Sequence, residues 1–176
     1  MPRTRTIRGF TLVEMMIVLV IIGVIAAFTI PGMLESRTSA NESGAEKALA
    51  TLVDAEAIFY KTDYETDGKD FSFNLANLHD QLDGNGQAIH LIDPALAAGL
   101  KEGYRFGVCT TYNAAGDADV HGYAYYAVPE VYQHTGRKSY VVNHEGVMFY
   151  KDTGSNAVVA AWPDPINDAS WIQVGR

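Results

Sequence analysis

The apolar and polar positions of this 176-residue chain fall into three regimes. In the first, every residue from Met15 to Ile30 is apolar, glycine or threonine, and Glu14 is the only charged residue between Gly9 and Leu34. Such a run makes about 24 Å of helix, and Phe10 to Val13 extend it toward the roughly 30 Å of a bilayer core. In the second regime, after a polar stretch from Ser36 to Gly44, the apolar positions are Ala45, Ala48, Leu49, Leu52, Val53, Ala57, Ile58 and Tyr60. They recur mostly at three- and four-residue steps, with Glu46, Lys47, Asp54, Glu56 and Lys61 on the other faces. This stripe predicts that the helix continues outside the membrane to about Tyr60–Tyr64 and packs one face on a sheet. Read as one element from Phe10 to Tyr60, it is about 75 Å long.

The third regime opens on turn signals. Asp67-Gly68 and Asp83-Gly84-Asn85-Gly86 bracket a short helix from Leu75 to Leu82, and Asp93-Pro94 starts another through Leu100, with Asp93 as its N-cap. The period then becomes two. Tyr104 to Thr111 places Tyr104, Phe106, Val108 and Thr110 on one face, and His121 to Val128 runs to Pro129. Lys138–Val142 and Val147–Lys151 flank the loop Asn143-His144-Glu145-Gly146, which has glycine where a hairpin needs positive φ. Three or four antiparallel strands result. The tail from Ala157, with Trp162 and Trp171, either adds an edge strand or wraps the sheet. The fold class predicted is α+β: a long N-terminal helix, membrane-spanning in its first half, packed on a small antiparallel sheet.

Charge gives the first regime a direction. Arg3, Arg5 and Arg8 precede the apolar run, and cationic flanks stay on the cytoplasmic side, so everything after Pro31 is sent across. Glu14 is the odd residue, because a carboxylate in a spanning helix is costly and usually marks a partner or a function. No Lys, Arg or His between Phe10 and Ser36 offers that partner. One candidate is the amino group freed by cutting the chain after Gly9, within one copy or between neighbouring copies. The plainer alternative is an ordinary secretory signal or anchor. For that, Ala26-Ala27 before Phe28 is a poor cleavage site, and a glutamate at the front of the apolar run is unexpected.

Gly9, Phe10 and the string TLVE through Glu14 resemble the class III signal of type IV pilins and type II secretion pseudopilins. The resemblance implies that a prepilin peptidase removes residues 1–9 as a leader and N-methylates Phe10. It also implies that Glu14 pairs with the terminal amine of an adjacent subunit. Gly23 and Pro31 fall where that family's helix carries a glycine and a proline, flanking a segment that unwinds in the filament. Residues 10–34 would then be the transmembrane and assembly helix, and residues 35–176 the exported globular domain. The expected history is a single-pass protein of the bacterial inner membrane, N-terminus cytoplasmic, surrounded by lipid and later assembled with copies of itself and other pilins by a membrane platform. The later strands resemble pseudopilin sheets at pattern level only. A different class of function is a membrane-tethered periplasmic binding or enzymatic domain that never polymerises.

Composition narrows the chemistry. The formal net charge is −8, and losing residues 1–9 would remove three of 13 basic residues and none of 21 acidic ones, leaving −11. An acidic exterior argues against nucleic acid as a partner, although Lys101, Arg105, Arg137 and Lys138 are candidates for a basic cluster. Cys109 is the only cysteine, which excludes an intramolecular disulfide and makes a secretion pseudopilin the preferred class, since many type IV pilins close a C-terminal loop with one. A buried small hydrophobe is the expected role of Cys109. The five histidines, His79, His90, His121, His134 and His144, form no catalytic or zinc motif, so no enzyme activity is expected. No cofactor is expected beyond calcium, for which Asp117 and Asp119, with Glu145 and Asp152 nearby, are weak candidates without a recognisable ligand spacing.

Overall fold

A computed structural model describes residues 9–62, 71, 72, 74–109, 122–162 and 168–175. The chain divides into two compact units, residues 1–36 and 37–176. Helix α1 covers Leu12–Thr62 and contains Pro31 without interruption. It begins where the chain supplies its own cap: the Thr11 carbonyl accepts the first helical bond from Met15 N, 3.3 Å. Two one-turn helices follow, α2 (Asn77–Asp80) and α3 (Pro94–Ala97), then strands β1 (Leu100–Lys101), β2 (Tyr104–Val108), β3 (Ala124–Pro129), β4 (Lys138–Asn143), β5 (Met148–Asp152) and β6 (Ile172–Gln173). All neighbours are antiparallel, and the order across the sheet is the order along the chain.

Unit 37–176 has its core between the latter part of α1 and one face of this sheet. Tyr104 and Phe106 of β2, Tyr125 and Ala127 of β3, and Tyr140 and Val142 of β4 share that face with Leu49, Leu52 and Phe59 of the helix, and Leu78 and Leu96 close the edges. The alternation is strict because a strand's side chains change face at every residue. Ala124, Val141 and Phe149 therefore point the other way, where Cys109 joins them under Val159, Trp162 and Trp171. Phe149 and Trp162 meet edge to face at 5.7 Å between ring centroids. With both faces covered, β4 is buried at every position except Lys138. Gly107 leaves the Tyr126 ring room on the second face, where a Cβ would meet its hydroxyl end.

The structure revises several expected boundaries. The buried positions of α1 are Ala45, Ala48, Leu49, Leu52, Ala55, Glu56 and Phe59. Ala57 and Ile58, expected in the stripe, are exposed, and Glu56, expected on an outer face, is buried. At about 100° per residue, positions 55, 56 and 59 stay in line with 48, 49 and 52, whereas 57 and 58 rotate away. The helix expected from Leu75 to Leu82 is a single turn, with Leu82 in a bridge to Ala88. The helix capped by Asp93 ends at Ala97 rather than Leu100; Gly99 takes φ +75° and turns the chain into β1, which pairs with β2. The cap itself stands as expected, with Asp93 accepting from the backbone N–H groups of Ala95 and Leu96 at 3.1 and 3.0 Å. Pro129 is the last residue of β3, paired opposite Tyr104. Gly146 has φ +75° in the β4–β5 loop, where Asn143 Oδ1 accepts from Val147 N at 2.9 Å. The tail does both things open to it: β6 pairs with β5, and the two tryptophans pack on the far face.

Candidate functional site

In unit 1–36, almost every large apolar side chain of α1 is exposed, from Leu12 at 75% to Phe28 at 81%. Among the described residues, α1 is the helix long and apolar enough to cross a membrane. Between Leu12 and Leu34 its surface carries one charge, and the first turn accounts for it. Glu14 Oε2 accepts from Thr11 N at 2.9 Å and from Thr11 Oγ1 at 2.8 Å, while Thr11 Oγ1 accepts from Glu14 N at 3.2 Å. This reciprocal pair is a capping box, in which two otherwise orphaned N–H groups of the helix start are satisfied by side chains. The signal was present in the sequence as Thr11-x-x-Glu14, and the reading above missed it. Both contacts land on Oε2.

The remaining predicted positions lie along the same unit. Gly9 and Phe10 precede the helix in non-helical backbone, and Phe10 is exposed. Gly23 sits in the helix interior with open space around its Cα, so the residue is not demanded by packing within the chain. Pro31 lacks the N–H that would reach the Ala27 carbonyl, and two residues earlier Thr29 Oγ1 donates back to the Ile25 carbonyl at 2.8 Å. Helix interiors pay about 1 kcal/mol for glycine and about 3 for proline relative to alanine, so Gly23 and Pro31 are unfavourable choices for this helix.

Other candidates separate. Asp117 and Asp119, the calcium candidates, lie outside the described residues. Asp152 accepts from Tyr132 Oη and Gly154 N, each at 2.9 Å. Among the described residues no group of three or more His, Cys, Asp or Glu is arranged to hold a metal ion. Lys101 pairs with Asp93 at 2.7 Å and Lys138 with Glu42 at 3.3 Å, while Arg105 donates to the Asn156 carbonyl at 2.7 Å. Most of the proposed basic cluster is thus tied to acceptors of its own domain. The Lys101 pairing and the cap contacts hold the Asp93 carboxyl below its ordinary value. Cys109 is buried, its Sγ donates to the Val159 carbonyl at 3.4 Å, and burial pushes its pKa to about 12.

Two polar groups have no counterpart in the sequence reading. Glu56, within the core, accepts from Ser72 N at 2.9 Å, from Ser72 Oγ at 2.8 Å and from the Tyr125 hydroxyl. Burial first, then the neighbouring Glu56 charge, drives the Tyr125 phenol well above its ordinary pKa, so it stays a donor. No local pattern announces this, because the partners lie 16 and 69 residues away. His79 and His90, eleven residues apart, come together beside α2 with Nε2 of one 3.1 Å from Nδ1 of the other.

Comparison with known proteins gives two kinds of match. Residues 4–30 match the prokaryotic N-terminal methylation motif, and residues 107–173 match a family described as protein of unknown function, DUF2950. The chain is similar to the type IV wide pilus major component of Thermus thermophilus, 34% identical over 74 residues, which are 42% of this chain and 53% of that protein. It is also similar to the type IV major pilin protein of Myxococcus xanthus, 42% identical over 53 residues, 30% of this chain and 24% of that one. The chain spans about half the length, or less, of these relatives. No solved structure matches it significantly.

Proposed function

We propose that this chain, whose N-terminal segment belongs to the type IV pilin family, is a structural subunit of a filament rather than an enzyme. The observation that carries the reading is a helix that exposes an unbroken apolar surface from Met15 to Leu34 and tethers the carboxylate of Glu14 in its first turn, directly after Gly9-Phe10. The two named relatives are pilus components, which supports a pilus over the secretion pseudopilus suggested by the lone cysteine.

Before assembly the surface from Leu12 to Ile30 lies in the inner membrane, with Arg3, Arg5 and Arg8 holding the N-terminus in the cytoplasm and unit 37–176 exported. A prepilin peptidase cuts after Gly9 and methylates the new Phe10 amine. An inner-membrane platform then brings subunits together, and burial among neighbouring helices replaces lipid around Met15 to Ile30. Thr11 holds Glu14 through Oε2, and Oε1 takes the Phe10 amine of the adjacent copy, so that register is set by neutralising a charge in an apolar setting. A subunit out of register leaves that carboxylate unpaired and is rejected. The weak stretch between Gly23 and Pro31 gives the helix a place to unwind as it enters the filament.

Mass spectrometry of the N-terminal peptide, from membrane and sheared fractions, tests processing: an N-methylated Phe10 is expected, and an intact Met1 or a terminus beyond Ala27 overturns it. Glu14→Ala tests assembly. Membrane insertion with loss of sheared filaments is expected, whereas normal filaments would instead favour a tethered domain that does not polymerise.

A further inference from the structure

The pair His79 and His90 lies outside every role described so far, and its geometry is specific. Nδ1 of His79 is 2.6 Å from Asp80 Oδ1, so that nitrogen donates and Nε2 carries the lone pair. His90 Nδ1 reaches this Nε2 at 3.1 Å, and the two rings cross at 63° with centroids 4.4 Å apart. The backbone holds them there. His90 N donates to the His79 carbonyl at 3.1 Å, Leu91 N to Leu78 at 2.9 Å and Ile89 N to Gln81 at 2.9 Å, a ladder turned by the Asp83–Gln87 loop. His90 itself has φ +47°, an unfavourable conformation for a residue with a Cβ, though less so for histidine than for most. The chain accepts that cost at the residue which brings the second imidazole into place.

We propose that His79 Nε2 and His90 Nδ1 form a bidentate site for a late divalent transition-metal ion such as Zn²⁺, Ni²⁺ or Cu²⁺, oriented by Asp80. Imidazole is a ligand of choice for these ions. Two nitrogens 3.1 Å apart, each about 2.0–2.1 Å from a metal, subtend about 100° at it, between the octahedral and tetrahedral angles. The Asp80–His79 contact is the arrangement that fixes the tautomer and ring orientation of metal-bound histidines. On binding, the proton shared between the rings leaves His90 Nδ1 and the ring carries its N–H on Nε2, so both ligands present lone pairs with no net proton change. The pair supplies two ligands, and water fills the remaining positions at this partly exposed site.

The test uses the untagged full chain in detergent micelles, titrated with Ni²⁺ alone by calorimetry. One saturable ion per chain is expected. His79→Gln and His90→Asn should each weaken binding at least tenfold, Asp80→Asn about tenfold, and His134→Ala not at all. Asparagine at position 90 tolerates the left-handed backbone, so far-UV circular dichroism should be unchanged there. Independently of any variant, Cu²⁺ should broaden the imidazole resonances of His79 and His90 before those of His134 and His144. Absent saturable binding, equal binding by the variants, or broadening centred on other histidines would overturn the site.

Discussion

Between Leu12 and Leu34 helix α1 leaves its large apolar side chains exposed, whereas between Ala45 and Phe59 it buries seven positions within one domain. Each stretch carries a carboxylate that the apolar pattern does not accommodate. Glu56 is satisfied by its own chain, through Ser72 and Tyr125, because a completed core brings those groups to it. Among the described residues Glu14 has only Thr11, in its own turn. The same helix therefore shows two ways of meeting one problem: a core closes around its charge with groups from distant residues, and an exposed apolar surface holds its charge with a residue of the same turn.

The strongest way to break this contrast is by cavity. Phe59→Ala should cost about 3–5 kcal/mol in the denaturant unfolding of unit 37–176, and Phe28→Ala, at the exposed end of the comparison, less than about 0.5. Equal losses would mean that the first stretch packs on its own chain after all. Next comes the pair of glutamates. Glu56→Ala strands the Tyr125 hydroxyl and the Ser72 donors and should lower stability by about 1–3 kcal/mol, with filaments failing only as far as folding fails. Glu14→Ala should leave the unfolding curve of unit 37–176 unmoved and, on the proposed function, remove filaments. Gly23→Ala should stiffen the exposed stretch by about 1 kcal/mol, read as slower helix amide exchange in micelles, and reduce filament yield without changing the domain's melting. The smallest effect at neutral pH belongs to Cys109. Its folded pKa of about 12 lies above its ordinary 9.0, so its contribution to stability is complete below 9 and fades as pH rises toward 12. At pH 8 a thiol reagent should label it only in denaturant.

The sequence was most readable where the chain is least finished. The run from Met15 to Ile30 is visible because no charged position interrupts its exposed apolar surface. The period-two strands were readable for a related reason: Tyr125 and Ala127 face one way and Tyr126 the other whatever lies opposite. Glu56 was misread because helical charges usually mark the wet face, and only the tertiary placement of Ser72 and Tyr125 says otherwise. Strand β1 is two residues long and exists because β2 lies beside it. Asp93 was legible since a cap is local chemistry, and by the same argument Thr11 with Glu14 should have been. The histidine pair depends on one residue in left-handed backbone, which no pattern of side chains marks.

Because β1 to β6 lie side by side in chain order, each strand after the first finds a neighbour already synthesised. Few of these contacts wait for a distant partner, so the entropy of closing long loops is met in small instalments. A polypeptide threaded through a narrow channel helix first could zip its sheet one hairpin at a time on the far side, with the tryptophan-bearing tail sealing the second face last.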